Sequence, residues 1–392
     1  MDNYNNTPFH IACKNKFVSK EILKYLIEEK SDVNQKDWTL STPLFTLFKQ
    51  HLPDIEKIIL LIDNNSYFES FDIKGDNILH QIISSQNISY PIIDYLLNNK
   101  NISVNLQNID GNSSFHLALS NPNFTLDVLK LLLLKKADLN LLNKNLESPF
   151  HRYCSNKNIN FEYFKILIEN KANLNLKTNN KDTILHLLAS NEYSAKETFE
   201  IMKFLIENKS NINHLNEQKQ SVLHKTASNP STNLKTFQYL ISLKLDIFLV
   251  DDKGNNLLHL LCQNNNSNPE VVKYIINLKI NINSKNFFNS TPLHKASINP
   301  SISFDLIKLL LFSKSSVNSL DNNSSSPLHI VCDNKSSGIE IVKYLIEKKA
   351  DLKSKNKMGF YPHNYLQKNQ KLMSQYLKIV DPSFTSLFKI QN

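Results

Sequence analysis

Glycine and arginine are scarce in this chain of 392 residues, which has five glycines and, among its 45 basic residues, a single arginine, Arg152. So few glycines leave little material for a glycine-rich loop that binds phosphate. The single arginine argues against sequence-specific reading of DNA, because contacts that discriminate bases rely heavily on arginine. No apolar run reaches the roughly 18 residues that a membrane-spanning helix requires, so the sequence predicts no membrane span.

Catalytic motifs are missing as well. The sequence has no Gly-x-Ser-x-Gly, no phosphate loop and no His-Glu-x-x-His. We therefore expect a protein that is not an enzyme, with no catalytic residues, no metal and no cofactor. The first residues form neither the charged part nor the apolar part of a secretion signal, so we expect a cytoplasmic location, with the nucleus as the alternative.

One four-residue segment recurs along the chain. Clear copies are Thr7-Pro8-Phe9-His10, Thr291-Pro292-Leu293-His294 and Ser326-Pro327-Leu328-His329. Its fourth residue, the motif position, stands at 10, 45, 80, 116, 151, 186, 224, 259, 294, 329 and 364. Nine of the twelve histidines occupy this position, which chance does not produce. The sequence is therefore an array of internal repeats of about 35 residues.

Each repeat has two halves with helix signals. In several repeats the first half opens on Thr or Ser followed by Pro, a preferred helix start. In the second half, apolar residues cover two turns and lysine faces water, as in residues 341–347. Asn follows the motif position by five residues in eight repeats, where we expect it to end the first helix in the left-handed conformation. Between repeats, Asp or Asn and then Gly predict a turn with a positive φ.

This combination resembles the ankyrin repeat, whose Thr-Pro-Leu-His-x-Ala signature is matched at His294-Lys295-Ala296 and His10-Ile11-Ala12. The resemblance implies an all-α solenoid of about eleven helix-turn-helix repeats with β-turn fingers, covering residues 1–380 and followed by a short tail at residues 381–392. It also implies that the motif histidine bonds the Thr hydroxyl and neighbouring backbone. Phe45 and Asn364 replace that histidine, so we expect their repeats to be held less rigidly.

The four cysteines occupy equivalent positions, three residues after the motif position: Cys13, Cys154, Cys262 and Cys332. Packed helices lie about 8–10 Å apart, so Cys262 and Cys332, two repeats apart, should be separated by about 20 Å. A disulfide allows at most about 7 Å between Cα atoms, and zinc ligands must lie within about 2.3 Å of one ion. We therefore expect buried thiols rather than a disulfide or a zinc site.

A lysine ends the second helix in nine of ten complete repeats, where ankyrin repeats usually carry glycine. This basic ladder consists of Lys30, Lys100, Lys136, Lys171, Lys209, Lys244, Lys279, Lys314 and Lys349. Lysine at a helix C-terminus complements the helix dipole by about 0.3–1 kcal/mol. The alternative is a track for an acidic polymer or an acidic protein face. Neighbouring lysines, the rungs of the ladder, lie about one Debye length apart. Their electrostatic potentials therefore add only weakly at physiological salt, and we favour the first interpretation.

Several predicted finger tips carry apolar residues at a turn site that is normally polar, seven residues before the motif position. They are Trp38, Ile73 and Ile109 in the first three fingers, and Phe287, with Phe288 beside it, in the eighth. Single exposed apolar residues are common on proteins. Three successive tips that include the only tryptophan form a patch, and we interpret both sets as candidate contact surfaces.

Together these features predict a monomeric, non-catalytic scaffold that binds an unidentified protein partner through finger tips and first helices. Polar first-helix residues predict recognition by mixed contacts: Ser120, Arg152, Lys225, Gln263 and Lys295. The alternative function, from a different class, is electrostatic binding of nucleic acid or another polyanion along the basic ladder. We rank it second because the ladder has a structural explanation and because arginine is scarce.

Overall fold

The computed structural model describes residues 1–48, 54–100, 102–193 and 195–366, with only the backbone described at residues 195 and 196. Within these residues, 21 helices are joined by loops and turns, and the β pairing is confined to an isolated bridge between Gln107 and Ser113. This confirms the predicted all-α class. Residues 367–380 of the predicted array and the predicted tail at residues 381–392 lie outside the described residues.

The helices alternate between a first and a second helix of each repeat. The first helices are α1 (Pro8–Lys14), α3 (Pro43–Phe48), α5 (Ile78–Ser84), α7 (Ser114–Ser120), α9 (Pro149–Cys154), α11 (Ile184–Ala189), α13 (Val222–Ser228), α15 (Leu257–Gln263), α17 (Pro292–Ile298), α19 (Pro327–Asp333) and α21 (Pro362–Leu366). The second helices are α2 (Lys20–Glu28), α4 (Ile55–Asp63), α6 (Tyr90–Asn99), α8 (Leu126–Leu134), α10 (Phe161–Glu169), α12 (Ala195–Glu207), α14 (Leu234–Ser242), α16 (Pro269–Asn277), α18 (Phe304–Phe312) and α20 (Ile339–Glu347).

Most first helices begin after a Thr, Ser or Asn three residues before the motif position, because this residue forms a reciprocal cap with the motif histidine. At α1, Thr7 Oγ1 accepts a hydrogen bond from the backbone N–H of His10 at 3.3 Å, and His10 Nδ1 accepts one from the backbone N–H of Thr7 at 3.2 Å. Two backbone donors are thereby satisfied, and Pro8 supplies a fixed φ at the first position. The same capping box recurs at α5, α7, α9, α13, α15, α17 and α19.

The second helices each bury one apolar face. In α20, Ile341, Val342 and Leu345 are buried, whereas Lys343 is exposed. Burying one aliphatic side chain of this size stabilises the fold by about 1.5–3 kcal/mol, so these faces hold the helix pairs together.

The helices belong to two compact units. One unit comprises Met1–Leu188 with Lys203–Ser210, and the other comprises Ala189–Met202 with the chain from Asn211 onward. Within the first unit, α7 packs on α9; within the second, α15 packs on α17 and α16 on α18. Each element therefore contacts chiefly its counterpart in the next repeat, as expected of a solenoid.

The Asn after the first helix ends that helix, but the prediction that it is left-handed was wrong. Asn229 and Asn264 have extended backbones, with φ −79 and ψ 119 at Asn229. The reason is a contact with the preceding repeat: Asn264 Nδ2 donates to the carbonyl oxygens of Ala227 at 3.1 Å and of Asn229 at 2.9 Å. Its Oδ1 also accepts from the backbone N–H of Asn266 at 3.0 Å. These buried amides therefore join neighbouring repeats.

The predicted positive φ in the finger turn is confirmed. It occurs five residues before the motif position in all eleven fingers: Asn5, Leu40, Gly75, Gly111, Leu146, Lys181, Lys219, Gly254, Asn289, Ser324 and Gly359. Glycine adopts this conformation without strain, so the seven other side chains are tolerated rather than favoured there.

Candidate partner-binding surface

Ten of the eleven finger turns have a carboxylate or amide eight residues before the motif position, and the remaining turn uses the hydroxyl of Thr178. In the finger of Trp38, Asp37 Oδ1 accepts hydrogen bonds from the backbone N–H groups of Thr39 at 2.8 Å and Ser41 at 3.0 Å. Because the turn folds over its own polar side chain, the intervening tip residue, Trp38, has no interior position to occupy.

Neighbouring finger tips are joined through their backbones. The N–H of Ile73 donates to the carbonyl oxygen of Thr39 at 2.8 Å, and the N–H of Ile109 donates to that of Lys74 at 3.0 Å. The three fingers that carry Trp38, Ile73 and Ile109 therefore lie side by side.

We call Trp38, Ile73 and Ile109 the tip patch. Their side chains are 60%, 56% and 53% exposed, as expected for tip residues. The ring of Tyr4, which is also exposed, lies with its centroid 6.1 Å from that of Trp38 and extends the patch. The apolar pattern at the tip position does not include Tyr4, because Tyr4 precedes its motif position by six residues rather than seven.

A separate apolar tip pair, Phe287 and Phe288, lies in the second unit, with exposures of 69% and 54%. The N–H of Phe287 donates to the carbonyl oxygen of Lys253 in the preceding finger at 3.0 Å. A Cβ placed on Gly254 would lie 2.8 Å from Phe287 Cδ1, so the ring is in direct contact with this glycine. The ring is thus supported on one side and open to solvent on the other.

The polar first-helix residues fall into two groups. Arg152 is engaged within the first unit, where its Nε donates to Ser120 Oγ at 3.0 Å and its Nη1 lies 3.4 Å from Glu147 Oε2. Gln263 and Lys295 instead line a groove of about 660 Å³ in the second unit. Arg152 therefore bonds to residues of its own unit, whereas Gln263 and Lys295 face the open groove.

Several motif histidines connect their repeat to the next finger. His294 Nδ1 accepts from the backbone N–H of Thr291 at 3.1 Å, and Nε2 lies 3.1 Å from the carbonyl oxygen of Ser325. Because a backbone N–H can only donate, Nδ1 carries no proton, and Nε2–H donates to the carbonyl. His10, His80, His116, His259 and His329 make the same contact with a carbonyl oxygen 31 or 32 residues later.

Burial holds these rings in the neutral form. It lowers the pKa of His116 and of His259 to about 4, and the carbonyl oxygens that the rings contact oppose only part of this effect. His224 differs, because its buried Nε2 has no hydrogen-bond partner in the described part of the chain. The role implied by the ankyrin resemblance, a histidine bonded to hydroxyl and backbone, is confirmed.

All four cysteine thiols are buried, as predicted, and they form no disulfide with one another. Burial raises the pKa of Cys13 to about 12 and also raises the pKa of Cys154, Cys262 and Cys332. Protonated thiols are weak nucleophiles and weak metal ligands, so these side chains serve packing. Among the described residues, no three His, Cys, Asp or Glu side chains are grouped as metal ligands would be. Every helix in the same part of the chain is too short or too polar to cross a membrane.

Eight rungs of the basic ladder share a left-handed backbone, with φ between 59° and 70°: Lys30, Lys136, Lys171, Lys209, Lys244, Lys279, Lys314 and Lys349. The ninth, Lys100, has a φ of −119° and pairs with Asp63 at 3.7 Å. At Lys136, Lys171, Lys314 and Lys349, an Asn 31 residues earlier donates to the carbonyl oxygen of the left-handed residue. For example, Asn105 Nδ2 donates to the carbonyl oxygen of Lys136 at 3.0 Å. The rungs therefore occupy the helix-ending position that glycine usually fills.

Comparison with known proteins agrees with this geometry. The model of ankyrin repeats in three copies matches residues 115–214, 192–286 and 265–356, and the model of a single ankyrin repeat matches residues 4–38. The crystal structure of the human ASB11 ankyrin repeat domain superposes with a TM-score of 0.51 at 21% identity, covering 60% of this chain and 99% of that one. A comparison with curated protein sequences gives no match. Since the family models cover more than half of its length, the chain belongs to the ankyrin repeat family.

Proposed function

We propose that this protein is a non-catalytic scaffold that binds a protein partner through its finger tips and first helices. The observation that carries the proposal is the exposure of Trp38, Ile73 and Ile109 on adjacent tips. Ankyrin repeats are in general protein-interaction modules, which supports a protein as the ligand.

The energetics of the tip patch favour a partner. Contiguous apolar surface in water promotes association, and an uncovered patch is an aggregation hazard. A tryptophan buried at the centre of an interface commonly contributes about 2 kcal/mol or more to binding. Trp38 is anchored by a closed turn and by its neighbour Tyr4, so its ring is already held in place before a partner binds.

Binding of nucleic acid or another polyanion along the basic ladder is the competing function. The left-handed backbone at eight rungs gives these lysines a role in ending helices that needs no ligand. Glutamates two residues before several rungs also reduce the positive potential there: Glu28, Glu169, Glu207 and Glu347. We therefore propose the protein-binding function, and expect no RNA or DNA binding that falls steeply with added salt.

The test is affinity capture with the full chain from lysate, followed by mass spectrometry, and comparison of two double variants. Trp38→Ala/Ile73→Ser removes the tip patch. Phe17→Ala/Ile22→Ser removes an aromatic and an isoleucine of similar exposure that lie outside it, and serves as the matched control.

We expect the tip variant to lose a protein that both the wild type and the control variant capture, with the melting temperature of the tip variant unchanged. Capture that survives in the tip variant would contradict the proposed role of the patch. A large fall in the melting temperature would show that these side chains belong to the core, and the proposal would be wrong.

A further inference from the structure

The groove in the second unit crosses three successive first helices. Its lining includes Ser228 at the end of α13, Gln263 at the end of α15, and Lys295 and Ile298 on α17. Packed helices lie about 8–10 Å apart, so the lining extends over about 16–20 Å. An extended chain of five or six residues has this length, at about 3.3 Å per residue.

Lys295 is one of the two lysines that line the groove, the other being Lys253. Its side chain is half-buried on α17, and no described residue forms a hydrogen bond or an ion pair with its ammonium group. Burial lowers the pKa of Lys295, and the nearby Lys253 acts in the same direction, whereas Asp251 opposes them. An ammonium group in these surroundings is stabilised by an anionic ligand that replaces the water it has lost.

The acidic side chain nearest to this lysine is already occupied. Asp251 is buried, and its Oδ1 accepts from the backbone N–H groups of Lys253 at 2.9 Å and of Asn255 at 2.7 Å. Its Oδ2 accepts from Asn255 Nδ2 at 3.0 Å. These bonds close the finger turn, so the carboxylate serves the fold and leaves Lys295 for a ligand.

The rest of the lining supplies donors, an apolar contact and one exposed carboxylate, that of Glu192, which lies three repeats before the repeat of Lys295. The side chains of Lys253, Gln263 and Asn265 are exposed and have donor groups. Ile298, one helical turn after Lys295, is 60% exposed. A ligand that suits this surface therefore presents carboxylate and carbonyl acceptors together with an apolar side chain.

We infer that this groove binds an extended acidic peptide segment, with a carboxylate of the segment paired to Lys295 and an apolar side chain of the segment against Ile298. The inference rests on the proposed protein-binding function and specifies the chemistry of the partner at this site. A nucleic acid fits less well, because two exposed or half-buried lysines cannot neutralise a continuous run of phosphates and the groove presents no aromatic ring for stacking among its lining residues.

The experiment uses the full chain and needs no known partner. Random linear peptides displayed on phage are selected on the immobilised protein, and the enriched sequences are synthesised with a fluorescent label. Their Kd is measured by fluorescence polarisation against the wild type, Lys295→Gln, Lys308→Gln and Trp38→Ala/Ile73→Ser. Lys308 lies exposed on the second helix of the same repeat, so Lys308→Gln makes the same charge change outside the groove.

We expect enrichment of peptides that combine Asp or Glu with an apolar residue. Lys295→Gln should raise their Kd about tenfold with an unchanged melting temperature, because a partly desolvated charge pair loses one member. Lys308→Gln and the tip variant should bind as the wild type does.

The inference is overturned by enriched peptides without acidic residues, by a Kd that Lys295→Gln leaves unchanged, or by failure to enrich any peptide. Displacement of the peptide by an oligouridylate of equal charge would also overturn it, since the site would then bind polyanions in general. These outcomes are separate from a failure of the proposed function, because capture through the tip patch is measured with a variant that leaves the groove intact.

Discussion

Asn318 bonds to the two peptide groups that flank Ala350, just after Lys349. Its Nδ2 donates to the Lys349 carbonyl oxygen at 3.0 Å, and its Oδ1 accepts from the backbone N–H of Asp351 at 2.8 Å. Lys349 has a φ of +66°, a conformation that costs a residue with a side chain about 1–2 kcal/mol. The clamp from the preceding finger therefore stabilises a strained helix end.

Replacing the strained lysine by glycine should stabilise the protein. For Lys349→Gly we expect a gain of about 0.5–1 kcal/mol in the free energy of unfolding, because relief of the left-handed strain exceeds the added entropy of the unfolded chain. Lys348→Gly removes the same charge at a residue with φ −83° and should lower stability instead. Urea denaturation of both variants checks this. A loss of stability in Lys349→Gly equal to that in Lys348→Gly would show that the position carries no strain.

Stability should fall as the pH is lowered from about 6.5 to about 4. The pKa of His116 and His259 in the folded protein is about 4, below the ordinary value of 6.5. The unfolded chain therefore binds more protons in this interval, and stability is complete above about pH 6.5 and declines below it. Urea midpoints at a series of pH values measure the decline. In His116→Gln the decline should be shallower, because one titrating ring is gone, and an identical pH dependence would contradict the assignment.

The repeat of Phe45 should open more readily than a repeat with a complete motif. Phe45 is fully buried but cannot donate to the next finger, and the Thr42 hydroxyl is buried without a partner among the described residues. In the repeat of His294, the equivalent donor reaches Ser325. Hydrogen exchange should therefore be faster in residues 43–48 and 72–76 than in residues 292–298 and 321–325. Equal protection in the two sets would contradict this expectation.

The contact between Gly254 and Phe287 should make two similar glycines respond differently to substitution. Gly254 and Gly359 have φ of +76° and +78°, but a Cβ on Gly254 would overlap Phe287, whereas one on Gly359 would meet nothing within 4 Å. We expect Gly359→Ala to cost about 1 kcal/mol and Gly254→Ala about 2–4 kcal/mol. Thermal denaturation compares them, and Phe287→Ala should relieve part of the Gly254→Ala loss. Equal losses would show that the ring moves aside freely.

The sequence predicted the repeat architecture because its strongest signals are local. Capping by Thr7 and His10, and the turn around Asp37, involve residues within four positions of one another. The exposure of Trp38 followed from the same turn. These features needed no knowledge of the tertiary contacts.

The contacts between repeats could not be predicted in the same way. Asn264 reaches carbonyl oxygens 35 and 37 residues earlier, and this overrides the left-handed preference expected from its position after a helix. The clamp of Asn318 on Lys349 spans 31 residues. Asn also stands eleven residues before the motif position in several repeats, as at Asn318, but in a chain with 55 asparagines this recurrence carries little signal. The groove at Lys295 likewise forms from residues of several repeats.

The most direct test of the proposed function uses the only tryptophan of the chain. With 5-fluorotryptophan incorporated into this protein alone, Trp38 gives a single fluorine resonance that reports the environment of the tip patch. Adding the captured partner to saturation should shift this resonance and make its position less sensitive to the solvent, because the exposed ring becomes buried. A saturated complex in which the resonance keeps its position and its solvent sensitivity would contradict the assignment of the tip patch as the partner-binding surface.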